Sequence, residues 1–513
     1  MLVESALSAL KSSPTLNAIV KQLSNPPIAI ATITTLGLTY IVYACIAPPR
    51  TNAPKFKSGS HWLFGSLPLF VNKNVGQKTH EAWQEISDEV GPVGWVKFMH
   101  INMFVITDGI LARQICNSTS TDFKRANAVK ATFGLFGRKS LMVIDDGEWR
   151  EHRKLMTSGL STTHLHHSLP QINASIDDFL VRWDEAERKG VPVDAYHDMS
   201  ALALEALGRA LLNVKFDLFG LGGAGNKYIE SREDVEGIIK GIELRLVTMP
   251  PMWPFLKDSM KEKIVNVRAL LSDLIEEKRK ELQDKGVEKF SGETPDLVAA
   301  LLTHPTKLPQ EELIDELLLF FIAGHETSAN SMTFTLARLC ESPEALKSLE
   351  DEIITQLGPD TPPSTPDQIA HLKFLDGCIK ESLRLHPVAG QFARHARKDV
   401  MLGGFLIPKG SEVGVNIRAM QRNPAFWPDE PEAFKPQRWL QPEAQKNPHY
   451  MPFAHGPQMC LGMRWANLEM RMVICRIVQR YKIELVPGQA LEERTSLTTG
   501  LKDGVMLKLT RRV

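Results

Sequence analysis

No cysteine in this chain has a second cysteine within four residues of it. The six that exist (Cys45, Cys116, Cys340, Cys378, Cys460 and Cys475) are scattered. That spacing argues against a zinc knuckle or a dithiol redox pair, and mostly free thiols fit a reducing compartment. Charge of one sign is lacking too: lysine plus arginine and aspartate plus glutamate stand at 60 each, so the net charge is zero. Nothing global therefore points to nucleic acid or to an acidic partner. Internal repeats and long low-complexity tracts are absent. A tidy secretory signal is absent as well, because the apolar run near the N-terminus starts late and has no clean small-residue cleavage site. The 513 residues suffice for a large core, and length alone would allow about three domains.

What is present begins with Phe453-Ala-His-Gly-Pro-Gln-Met-Cys-Leu-Gly462. Gly456 and Pro457 force a turn before Cys460, and Gly462 lets backbone pass close behind it. A run with helical spacing follows, from about residue 463 to 483. A thiolate just before a helix N-terminus feels the positive end of the dipole and the free N–H groups. Such a sulfur can be a nucleophile or a metal ligand. Cys475 sits inside the apolar helical pattern and reads as a buried structural cysteine.

Residues 27–47 carry no charge and are mostly apolar. As a helix they could span a hydrocarbon core of about 30 Å. Lys11 and Lys21 before them, and Arg50, Lys55 and Lys57 after them, place the C-terminal side in the cytosol. Pro48, Pro49 and Pro54 read as a stiff spacer over residues 48–59. From residue 60 to 513 the chain reads as one domain. Strand-like runs occupy 93–107; helical spacing marks 199–213, 261–283, 309–340, 342–356 and 373–385. Residues 402–407 and 412–416 read as a hairpin around Pro408-Lys-Gly410. His164-Leu-His166-His167 lacks an acidic or cysteine partner at ligand spacing and reads as a solvated loop. Gly220-Leu-Gly222-Gly-Ala-Gly225 matches a dinucleotide fingerprint and supports a competing class, a nicotinamide-dependent dehydrogenase. Lys215 and Asp217 interrupt the strand that should precede it, so a flexible surface loop is the better reading.

Three further stretches carry chemistry. Gly324 inside the apolar run Leu313–Arg338 should cost about 1 kcal/mol relative to alanine, so something must approach the backbone there. Thr327 lies on nearly the same face, beside Glu326, and an acid and an alcohol at a helix notch can relay protons. His325 fits a pocket residue or a core histidine equally. Glu381 and Arg384, three apart, share a helix face and can pair. Trp149 and Arg153, four apart, share another.

The order of these motifs resembles the cytochrome P-450 family from about residue 25 to the C-terminus. Phe453-x-x-Gly456-x-x-x-Cys460-x-Gly462 resembles its haem-binding loop, with one departure: Gln458 stands where the family usually has arginine or histidine. Ala323-Gly-His-Glu-Thr-Ser328 is similar to its long-helix motif. Glu381-Ser-Leu-Arg384 with Phe434-Lys-Pro-Gln-Arg438-Trp439 resembles its buried Glu–Arg–Arg lock. The resemblance implies a mainly α fold with small β-sheets: a single large haem domain plus an N-terminal transmembrane helix. It implies haem b with Cys460 as axial thiolate and metal ligand, a ligand type that favours O–O cleavage. By the same likeness Trp149, Arg153, Arg394 and the Gln458 position face the haem propionates. Phe453, Gly456 and Gly462 shape the loop, Gly324 lies over the cofactor, and Thr327 and Glu326 deliver protons. Glu381, Arg384 and Arg438 are structural.

The implied activity is monooxygenation of a lipophilic small molecule: a sterol, terpenoid, fatty acid or polyketide. Electrons would come from a separate NADPH–cytochrome P-450 reductase, or cytochrome b5, docking on Arg150, Lys154, Arg464 and Arg471. The implied location is the endoplasmic reticulum membrane, single-pass, with a cytosolic catalytic domain. Substrate-facing segments would be 125–136, 319–327, 388–392 and 498–501. Two other classes compete: a haem-thiolate isomerase or dehydratase needing no electrons, and a non-enzymatic haem sensor.

Overall fold

The computed structural model describes residues 34–35, 37, 39, 41–73, 77–119, 121–220, 227–247, 259–287, 296–495 and 497–512. Two helices, Leu67–Asn72 and Thr79–Val90, precede the first strands. β1 (Val93–Phe98) and β2 (Ile101–Ile106) form an antiparallel hairpin. Then come α1 (Gly109–Asn117), β3 (Phe123–Arg125), α2 (Asp146–Ser158) and α3 (Thr162–Lys189). β4 (Val193–Asp194) leads into α4 (Ala195–Leu207), followed by α5 (Lys227–Val247), α6 (Met260–Asp284) and α7 (Gln310–Glu341). α8 (Pro343–Leu357) and α9 (Lys373–Leu385) precede β5 (Gln391–Ala396), β6 (Val400–Leu402), β7 (Phe405–Ile407) and β8 (Glu412–Asn416). α10 (Met463–Arg480), β9 (Tyr481–Leu485), β10 (Glu493–Thr495), β11 (Thr499–Leu501) and β12 (Met506–Arg511) complete the order.

The centre of the molecule is α7. It follows Pro309, carries Glu311 and Glu312 in its first turn and Arg338 in its last, and so complements its own dipole at both ends. Its 32 residues are buried on nearly every side, as an all-round apolar helix requires. α4, α6, α9 and α10 pack around it. To one side lies a five-stranded sheet of order β1-β2-β8-β5-β3, in which β2 and β8 run parallel. β12 pairs with both β9 and β4, closing a second sheet between the end of the chain and its first half.

The helical expectations land within a few residues, except that 199–213 begins at Ala195 and ends in a π-helical turn, Gly208–Leu212. The run expected from 463 to 483 stops at Arg480 and turns into β9. Three other expectations need correction. The hairpin lies earlier than expected: β6 pairs with β7 across Gly403 and Gly404, both at positive φ, while β8 joins β2 and β5. Two left-handed residues are what a two-residue hairpin turn demands. The histidines at 164–167 sit not in a loop but in the first turns of α3, capped by Ser161, with His164 buried. Residues 51–57 do not stand free as a spacer. Phe56 is buried with Leu69, Phe70 and Ile86, and its N–H donates to the Trp95 carbonyl. Residues 221–225 and, within 27–47, residues 27–33, 36, 38 and 40 lie outside the described residues. Among those described, no helix is long and apolar enough to cross a membrane.

Candidate haem-thiolate site

The loop that carries Cys460 is closed on itself. The Cys460 N–H donates to the Phe453 carbonyl at 2.9 Å, and the Met459 N–H to the Gly456 carbonyl at 3.1 Å. Gly456 has φ +70°, and a Cβ there would lie 2.9 Å from the Cys116 carbonyl oxygen at the end of α1. Glycine is required twice over, by backbone conformation and by contact. Gly462 is different: a Cβ would meet nothing within 4 Å, so no backbone passes close behind it, contrary to expectation. It serves as the residue before the first turn of α10.

Cys460 is exposed as a residue, yet the protein around its sulfur desolvates the thiol and pushes it above its ordinary range. The Gly462 and Met463 N–H groups and the Arg153 guanidinium pull the other way. Cys475, by contrast, is buried in α10 and pushed up to about 12. Of the six cysteines, only Cys460 is exposed.

Three arginines stand together beyond the sulfur. Arg394 on β5 is buried, lies over Phe392 at 5.0 Å and, among the described residues, donates to its neighbour's carbonyl, Ala393. Arg125 on β3 pairs with it in register and is also buried. Burial first, then Arg394 and Arg153, hold the Arg125 guanidinium down to about 9. Arg153 on α2 lies 6.0 Å from the Trp149 ring. The Nε atoms of Arg125 and Arg394 are buried with no hydrogen-bond partner among the described residues. Crowded, desolvated guanidiniums with spare donors suit a carboxylate-bearing group. Together with the accessible sulfur they fit a haem and its propionates. Sequence reading placed Arg125 only among substrate-facing residues; nothing in Phe-Lys-Arg marks an anion site. Gln458 keeps its Oε1 buried and without a partner, while the neighbouring His455 meets Arg113 at 3.3 Å.

On α7, Ala323, Gly324 and Thr327 form the open side of an otherwise buried helix. The Thr327 hydroxyl donates to the Ala323 carbonyl at 2.7 Å. The close approach expected at Gly324 is made by Leu207 of α4, whose Cδ1 would lie 2.9 Å from an added Cβ. Glu326 is buried. His325 resolves as a core histidine: it is buried, and its Nδ1 lies 2.7 Å from the Phe321 carbonyl.

Glu381 is fully buried and gripped from four sides. Arg384 makes a bidentate pair with it at 2.9 Å, Arg438 Nε donates at 2.8 Å, Trp439 Nε1 at 2.9 Å and the Lys435 N–H at 3.0 Å. Arg384 also donates to the carbonyls of Gln421, Pro431 and Ala433. A buried charge network this complete is a lock, since losing one member strands the others at about 3–5 kcal/mol. Of the expected basic dock, Arg150, Lys154 and Arg464 are exposed. Arg471 is not available to it, being paired with Asp376.

A helical body around one long buried helix, with a lone accessible sulfur facing crowded arginines, defines a haem-thiolate protein. The sequence matches the cytochrome P450 family over residues 54–508. It is 29% identical to cytochrome P450 3A5 of Homo sapiens over 83% of this chain and 87% of that protein. It is 28% identical to cytochrome P450 3A13 of Mus musculus, over 74% and 77%. Protein LUTEIN DEFICIENT 5, chloroplastic, of Arabidopsis thaliana is 25% identical over 80% and 70%. The chain belongs to the cytochrome P450 family of monooxygenases, whose cofactor is a haem with a cysteine thiolate as axial ligand.

Proposed function

We propose that this enzyme hydroxylates or epoxidises a lipophilic small molecule, using electrons from an NADPH–cytochrome P-450 reductase at the endoplasmic reticulum membrane. One observation supports the substrate class: three segments from distant parts of the chain converge. The Thr499 N–H at the start of β11 donates to the Val388 carbonyl at 2.8 Å. Asn330 of α7 reaches Thr498 at 3.4 Å. The open Ala323–Thr327 side of α7 belongs to the same stretch of helix. Val388, Phe392 and Leu501 in these segments supply apolar side chains of the kind that suit a lipophilic substrate.

Haem, when bound, supplies the oxygen activation, and the protein supplies position and protons. Thr327 holds a proton at Oγ1 on a flexible hydroxyl, one turn from its carbonyl partner. Glu326, the next residue back, is the acid able to replenish it. Membrane attachment rests on the uncharged stretch 27–47, and the electron donor on the exposed Arg150, Lys154 and Arg464.

The decisive experiment is product analysis by mass spectrometry after reductase-coupled turnover of a lipophilic panel. NADPH-dependent gain of one oxygen atom is expected; rearranged product without NADPH would point instead to an isomerase. In the same assay Thr327→Ala should keep its haem but lower product per NADPH by about tenfold or more, with the missing electrons recovered as hydrogen peroxide. Unchanged coupling would remove Thr327 from the proton path.

A further inference from the structure

His152 is a buried histidine with a carboxylate at each ring nitrogen. Nδ1 lies 2.8 Å from Glu316 Oε1 and Nε2 lies 3.2 Å from Glu312 Oε2. The histidine and Glu316 are almost completely shielded from water, at 3% and 0% exposure, while Glu312 is partly open. Glu312 and Glu316 are four apart on α7, hence neighbours on one face, and two carboxylates so placed repel each other unless a cation lies between them. An imidazole donates through both nitrogens only when doubly protonated. The arrangement is therefore a three-member bridge from α2 to the first turns of α7.

Its place on α2 gives the bridge a consequence. His152 stands three residues after Trp149 and one before Arg153. With about 100° of turn per residue, it projects some 60–100° around the helix from them. The face bearing His152 turns to α7 while the face bearing Trp149 and Arg153 turns to Cys460. We propose that His152 is a positioning residue: bridged between Glu312 and Glu316, it fixes the roll of α2 and so the reach of Arg153 and Trp149 toward the haem carboxylates. This rests on the reading that those two residues face the haem.

The other charged groups around the bridge are few. Asp315, next to Glu316, is engaged by Arg268 and by the Lys139 N–H. Arg125 acts on Glu316 from the β3 side, and the Leu141 N–H points toward the same carboxyl. Lys139 is paired with Glu148. Burial lowers the affinity of His152 for its proton, but Glu316 and Glu312 outweigh it, and the net shift is upward from the ordinary 6.5. Burial raises Glu316 as well. Both groups thus bind protons more tightly in the folded protein. The histidine's contribution is fully present below its unfolded value, so long as the carboxylates stay ionised, and is lost as pH rises through the raised folded one.

The test is the rate of haem transfer from the holoprotein to apomyoglobin, measured from about pH 6 to pH 9 and expressed relative to wild type. His152→Gln should transfer haem about tenfold faster at pH 6, where a charge-assisted contact has been lost. The difference should shrink as pH rises through the raised folded value of His152, where wild type itself loses the proton. Glu312→Gln removes only the more exposed partner and should shift the wild-type alkaline acceleration to lower pH. Should His152→Gln not yield holoprotein, that midpoint decides alone. A pH-independent rate ratio for His152→Gln, or an unmoved midpoint in Glu312→Gln, overturns the proposal. Arg153→Ala serves as the separate control: an unchanged rate there overturns the haem-facing reading of α2, whatever His152 does.

Discussion

The residue with the most to lose at this site is Arg394. It is buried, and among the described residues its side chain finds one acceptor, a backbone carbonyl one residue away. Gln458 cannot share its load, because an amide offers neutral donors where the family usually supplies a cation. Hydrogen bonds to charged groups contribute about 1.5–3 kcal/mol against about 1 for neutral ones. Arg394→Ala should therefore release haem at least about tenfold faster to apomyoglobin. Gln458→Arg should slow release, since its side chain already has a buried oxygen without a partner that a charged group would replace. An accelerated or unchanged rate in Gln458→Arg would mean that the side chain does not reach a propionate. Cys460 and Thr327 were legible as single residues because each breaks a local pattern: a lone cysteine among glycines, and an alcohol and a glycine in an apolar helix. Arg125, His152 and Glu316 were not, since each lies in an ordinary polar setting and acquires meaning only from residues far away in sequence.

Between elements, the contact of α10 with α7 holds a buried acid. Glu469 is fully buried, and neither carboxyl oxygen has a well-formed hydrogen bond, though Ser328 and the Trp465 indole lie against it. Burial pushes it up to about 8 from the usual 4.5, despite the pull of those two neighbours. The sign follows directly. A carboxyl that binds its proton more tightly when folded stabilises the protein at low pH and loses that contribution as pH rises through the folded value. Glu469→Gln should flatten the fall of thermal stability between about pH 6 and pH 9, by about 2–3 kcal/mol. Parallel pH profiles for variant and wild type would show that Glu469 does not titrate in this range. Element lengths were largely legible, because α6, α7, α8 and α9 repeat their apolar faces over whole turns. The β6–β7 hairpin was misplaced although its signal was present: Leu402-Gly403-Gly404-Phe405 is a two-glycine turn between strand residues. Pro408-Lys-Gly410 offers a second turn signal a few residues on, and the two compete. Strand partners across long separations, such as β2 with β8, leave no local trace.

For the molecule as a whole, the first expectation concerns its attachment. If residues 27–47 anchor the chain, removing residues 1–50 should release a haem-loaded protein from membranes, measured as soluble haem after ultracentrifugation. The cut should fall before Thr51, whose hydroxyl donates to the Leu406 carbonyl, and well before Phe56, which is part of the core. Haem-free protein after the cut would place the segment in the folding unit instead. The Gly456–Cys116 contact bears on something else, the order in which the protein is made. The carbonyl that seats the cysteine loop comes from the first quarter of the chain, and the loop itself from the last. On the ribosome α7 is finished at Glu341, yet Cys460 is still about 120 residues from being made, or about 6–24 seconds at ordinary elongation rates. Throughout that interval the long, largely buried α7 waits without α10 to cover it, and for the first part of it without α9. Nascent chains of this protein are thus exposed to chaperone capture for a defined stretch of synthesis, and codons that slow translation between 341 and 460 lengthen that exposure.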